Sequence, residues 1–109
     1  MKNIEVTVGA IILNKKDELL LIKTSKWNDK FIVPGGHIEY GEKKDQAIKR
    51  EIKEETNLDV EILKEFSISE FIFPPEFERK AHFFFINYIC RAKNSDVKLQ
   101  KSEAQDYIV

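Results

Sequence analysis

One stretch of this 109-residue chain, and one only, reads as a helix of any length. Glu42 to Thr56 contains no Gly or Pro and is rich in Lys, Glu, Gln, Ala and Ile, side chains that lose little freedom in a helix. Around it the pattern is strand-like: Glu5 to Leu13, Glu18 to Lys23, Phe31 to Val33, one or two strands within Val60 to Phe73, and the aromatic run Ala81 to Ile89. Asn14 to Asp17 is a polar turn that makes the first two strands a hairpin. Pro34-Gly35-Gly36 ends the third, and Tyr107 to Val109 starts another. Strands with a single central helix predict an α+β domain with a mixed sheet. The helix has a narrow apolar stripe, Ala47, Ile48 and Ile52, so it lies on the surface of that sheet. Asn57 stands where the helix end needs a left-handed residue.

Composition removes several classes of function. Eighteen basic and nineteen acidic residues leave a formal charge of −1, which excludes a generic polyanion-binding surface and with it bulk affinity for DNA. No apolar run is long enough to span a bilayer. The first residues, MKNIEVTVGAIIL, carry charges where a signal peptide needs an unbroken apolar stretch. A lone cysteine, Cys90, has no internal disulfide partner, and a cytoplasmic protein is the simplest expectation. With 42% hydrophobic residues, residues 1–109 are expected to form one domain with a modest core.

The helix carries a conflict. Glu51, Glu54 and Glu55 fall at i, i+3 and i+4, neighbours on one face. Like charges so placed repel, and they lie near the helix C-terminus, where the macrodipole disfavours anions. Alone, these residues also describe an ordinary solvated acidic face. A divalent cation would remove the conflict, and oxygen ligands without His or Cys nearby suit Mg²⁺ or Mn²⁺ rather than zinc. The context upstream favours a site. Gly35-Gly36 lets backbone approach a ligand, Gly41 reverses the chain, and Glu42 enters the helix where the dipole favours an anion.

Taken together, Gly36 to Leu58 reads GHIEYGEKKDQAIKREIKEETNL. This resembles the signature of the Nudix (MutT-like) hydrolases, with Gly36, Glu42, Arg50, Glu51, Ile52, Glu54, Glu55 and Leu58 in register. Asn57 replaces the second glycine and keeps its left-handed preference. The FIVPGG segment and the aromatic strand also look like this family. The resemblance implies a Mg²⁺-dependent (or Mn²⁺-dependent) pyrophosphohydrolase that cuts a nucleoside diphosphate linked to another group. It implies that Glu51, Glu54, Glu55 and the Gly35 carbonyl hold metal, that Glu51 is a candidate base, and that Arg50 orients the glutamates. Glu42 then stabilises the loop–helix junction, and Glu103 aligns with a region that supplies an extra carboxylate in some members.

Substrate contacts lie outside the signature. Trp27, Phe31, Phe71, Phe73 and Phe77 can stack on a base; core packing is the expectation for Phe31, Phe71 and Phe73, whereas Trp27 and Phe77 lie in polar loops. Trp27, His37 and Arg79 are the candidate substrate contacts. Two other readings compete with hydrolysis: a catalytically inactive Nudix-fold module that senses a nucleotide or docks a partner, and an acidic-helix interaction domain without nucleotide chemistry. The resemblance bears on length too. Nudix relatives continue past the strand that begins near Gln105 into a second long helix, whereas here Asp106-Tyr107-Ile108-Val109 is the end. The expectation is a sheet face without its C-terminal helix, in a truncated form of a longer protein or in a homo-oligomer that covers the face.

Overall fold

The computed structural model describes residues 2–109. Strand β1 (Glu5–Leu13) is the member on which the others assemble. It runs parallel to β6 (His82–Ala92) over its whole length, from Glu5 opposite Phe83 to Leu13 opposite Arg91. β5 (Val60–Ile72) lies antiparallel on the far side of β6. Two partners share the remaining edge of β1. Ile12 and Leu13 pair with Leu20 and Leu19 of β2 (Leu19–Thr24), the hairpin the turn implies. Thr7, Val8 and Gly9 pair with His37, Gly36 and Gly35 of β4 (Gly35–His37). β2 also carries β3 (Lys30–Ile32) and β7 (Asp106–Ile108). The main order is β3-β2-β1-β6-β5, and its one parallel pair makes the sheet mixed, as expected.

Helix α1 (Lys44–Thr56) covers one face. Ala47, Ile48 and Ile52 are fully buried and join Val8, Ala10, Ile12, Tyr88 and Cys90 in the core. The Tyr88 hydroxyl donates to Asp45 at 2.7 Å and pins the first turn; burial, reinforced by Asp45, pushes its pKa well above the usual tyrosine range. After β6 the chain folds back along the end of α1. Val97 packs on the core, Lys98 N donates to the Thr56 carbonyl at 2.9 Å, and Gln100 N donates to the Glu55 carbonyl at 3.1 Å. Asn57 caps the helix at φ 67°, and its backbone N–H donates to the Lys53 carbonyl. Asn57→Ala is expected to cost about 1 kcal/mol in urea unfolding and Asn57→Gly less, because only the alanine strains a left-handed backbone. Equal losses would contradict that origin.

Two expectations change and a third is narrowed. α1 begins after Lys43, so Glu42 precedes the helix rather than opening its first turn. Pro34-Gly35-Gly36 does not simply end a strand. Gly35 to His37 form β4, because a residue without a Cβ can lie flat on β1, and a Cβ on Gly35 would collide with the Val8 carbonyl. Val60 to Phe73 holds one strand, ending at Ile72, and its pairing with β6 slips after Ile62 and after Glu65. Leu63 and Phe66 sit at these slips and are exposed, which erases the alternation a strand normally shows. Among the described residues α1 is the only α-helix, and no helix is long and apolar enough to cross a membrane.

Candidate active site

The second half of α1 faces the β4 strand, and Arg50 ties them together. Its Nε and Nη2 donate to the two oxygens of Glu42 at 2.7 and 2.9 Å. Nη1 donates to Glu51 at 2.8 Å and to Glu54 at 3.2 Å, and Nη2 also reaches the His37 carbonyl at 3.0 Å. One guanidinium thus joins the loop before α1, the helix and β4. Glu42 first, and Glu51 with it, hold its pKa well above the usual arginine range. A lysine ammonium lacks the planar fork needed for this set. Arg50→Lys is expected to lower kcat/KM by about 10- to 100-fold without unfolding the protein, the usual cost of losing such an orienting contact. Kinetics beside circular dichroism would check it.

Behind Arg50 lie two carboxylates that burial disfavours. Glu55 is 6% exposed, and its Oε1 accepts from Gly35 N at 2.9 Å. Burial, then the neighbouring Glu51 charge, push its pKa up to about 8. Burial raises Glu51 too, against the opposing pull of Arg50. Glu51 lies so close to β4 that a Cβ on Gly36 would meet its carboxylate, which would have to swing aside. Glu103 adds negative charge to both, and its own carboxylate accepts from Lys26 Nζ at 2.6 Å.

Crowded, partly buried carboxylates of this kind favour a cation. The donors are hard oxygens, the set suited to Mg²⁺ or Mn²⁺. As the side chains stand, no three metal-binding groups converge on one point among the described residues. Glu51 and Glu54 are both turned toward Arg50. The residues therefore fit a divalent cation in charge and in donor type.

Glu51, Glu54 and Glu55 line a cavity of about 520 Å³. Its walls are aromatic: Trp27, Phe71, Phe77, Phe83 and Phe85. Trp27 lies 4.6 Å from Phe77 between ring centroids, and Phe77 meets Phe83 edge-on at 4.9 Å. Thr7, Ser69 and Asn87 supply polar atoms. Of the candidate substrate contacts, Trp27 and His37 line this cavity, with His37 Nε2 2.6 Å from Glu5. Arg79 does not line it. Its guanidinium forms a two-bond fork on Glu5, both contacts 2.7 Å, at a separate surface hollow beside Phe73 and Lys80. That fork, with His37, holds the Glu5 carboxyl down at about 2. Phe31 and Phe73 are exposed and line no part of the cavity. Phe83, Phe85, Asn87 and Ser69 escaped the sequence reading. Alternation along β6 is the signal that finds the first three, since 83, 85 and 87 share a face opposite Tyr88 and Cys90.

Comparison with known proteins settles the family. A NUDIX domain model matches residues 4–108. The chain belongs to the Nudix family. "Nudix hydrolase 5" of Arabidopsis thaliana is 31% identical over 104 residues, 92% of this chain and 33% of that protein. The "8-oxo-dGTP diphosphatase" of Escherichia coli (strain K12) is 34% identical over 77 residues, 68% of this chain and 59% of that one. This Nudix chain therefore spans a third of the first relative's length and under two thirds of the second's. In fold it superposes on the MutT protein from Methanosarcina mazei Go1 with a TM-score of 0.82 at 27% identity, covering 98% of this chain and 76% of that chain.

Proposed function

We propose that this Nudix chain is a divalent-cation-dependent pyrophosphohydrolase acting on a nucleoside diphosphate linked to another group. One observation carries the reading: the Arg50-ordered glutamates open directly into an aromatic-walled cavity. A base held between the rings of Trp27 and its neighbours leaves its phosphates beside Glu51, Glu54 and Glu55. The diphosphatase name of the Escherichia coli relative agrees with that arrangement.

The reaction adds water to one phosphorus and breaks the bridging P–O bond, so the water must lose a proton. Glu51, Glu54, Glu55 and the Gly35 carbonyl would hold the cation, which supplies charge neutralisation and a more acidic water. Glu51 is our choice as proton acceptor, because it is partly buried and fixed on its outer side by Arg50. Trp27 and His37 contact the substrate from the cavity wall. Arg50 and Glu42 hold the acids in place and touch no reacting atom.

The test is a hydrolysis screen with Mg²⁺ over nucleoside triphosphates, nucleotide sugars, ADP-ribose and dinucleoside polyphosphates, with products identified. Release of a nucleoside monophosphate from one class is expected. Nucleotide binding without any product would replace hydrolysis by sensing.

A further inference from the structure

The middle of β6, from Phe83 to Cys90, is apolar and aromatic with one amide in it. Between Phe83 and Ile86 every residue is Phe or Ile, and then comes Asn87. Asn87 stands on the same face as Phe83 and Phe85 and lines the aromatic cavity. Across on β5 its partner is Ser67, and the next residue on that face is Ser69, opposite Phe85. The Asn87 amide donates to both hydroxyls, at 3.1 Å to Ser67 and 2.8 Å to Ser69. A polar group set in an aromatic wall costs desolvation, and any of the surrounding residue types would have packed there.

The hydrogen-bond inventory says what this cluster offers a ligand. With both amide protons given to serines, Asn87 Oδ1 remains as an acceptor. Each serine oxygen accepts from Asn87 and still has its own proton to donate. An acceptor therefore stands beside a donor, within a space walled by rings. Nucleobases have the complementary form: flat apolar faces for the rings and an edge on which donors and acceptors alternate. We infer that Asn87, with Ser69, reads the edge of the substrate's base and sets which base this protein accepts. The inference rests on the nucleotide reading above and adds the residue that discriminates. A purely structural tie between β5 and β6 would alter stability and leave base preference alone.

Trp27 is the chain's single tryptophan and lines the same cavity, so its fluorescence reports occupancy. Nucleoside monophosphates have no pyrophosphate bond, which separates binding from hydrolysis. The experiment titrates AMP, GMP, CMP and UMP, with ribose 5-phosphate as the baseless control, into wild type, Asn87→Leu, Asn87→Asp and Ser69→Ala. Wild-type Kd values are expected to differ by about tenfold or more between best and worst base, the penalty for polar groups left unpaired. Asn87→Leu should compress that spread to about threefold or less, and Ser69→Ala should compress it partly. Asn87→Asp draws the Ser67 and Ser69 protons onto its carboxylate and leaves only acceptors for a ligand, so the order of base preference should change. Ribose 5-phosphate should bind all four proteins alike. An unchanged spread in Asn87→Leu and Ser69→Ala, or a wild type that binds every base equally or none, overturns the inference. Base preference without hydrolysis defeats only the proposed activity; hydrolysis with base-blind binding defeats only this assignment.

Discussion

Glu55→Gln is expected to lower kcat by about 10³-fold at saturating Mg²⁺, equal to about 4 kcal/mol of lost transition-state stabilisation. Glutamine has the same shape as glutamate and keeps an oxygen to accept the Gly35 N–H. The substitution removes a charge and little else. Glu55 is the most deeply buried of the three helix glutamates, with 6% of its surface exposed. Solvent therefore screens its charge least, and a cation there gains most from it. Glu54 is half exposed and already paired with Arg50, so Glu54→Gln should lose distinctly less activity. Turnover by Glu55→Gln within about tenfold of wild type would remove Glu55 from the chemistry.

The second large effect is on stability, and it has the opposite sign. Without metal, burial beside Glu51 raises the Glu55 pKa from 4.5 to about 8. Folding then takes up a proton throughout that interval. The stabilisation is complete below about pH 4.5 and is lost as pH rises through about 8. Glu51 and Glu103 drive the loss, and Lys26 opposes it. In the presence of EDTA, wild type and Glu55→Gln should melt within about 2 °C of each other near pH 5, and the variant should melt about 5 °C or more higher at pH 8.5. A Mg²⁺ held at the proposed site would bind the ionised form, so it should raise the wild-type Tm more at pH 8 than at pH 6 and affect the variant far less. Parallel melting curves across this range would show that Glu55 ionises freely. The substitution expected to cripple the proposed reaction is thus also expected to strengthen the metal-free protein.

Local features were legible in the sequence, because short-range physics sets them. The helix, its Asn57 cap and the spacing of Glu51, Glu54 and Glu55 all follow from neighbours within one or two turns. Across longer distances legibility failed. Glu5 and Arg79 stand 74 residues apart, and nothing near Arg79 signals that its fork is occupied and unavailable to substrate. Phe31, on a short apolar strand, reads as a core residue and is instead exposed, while Phe77, from a polar loop, meets Trp27. β4 was hidden because two glycines in a row suggest a turn, and only the flat contact with β1 makes them a strand. Glu103 lies in a loop that reads as solvent, and its place in the cavity depends on Lys26 from the other end of the chain.

The shared edge of β1 separates two kinds of change. Gly35 is fixed by the backbone carbonyl of Val8, and an added methyl group at Gly36 would push the Glu51 carboxylate out of place. The ribbon of β2, β3 and β7 grips β1 through only Ile12 and Leu13, yet it supplies Ile22, Thr24 and Ile32 to the chamber. Sequence drift in that ribbon can remodel the chamber while leaving the glutamates undisturbed. For the proposed activity, a change of substrate would then be separable from upkeep of the acidic residues.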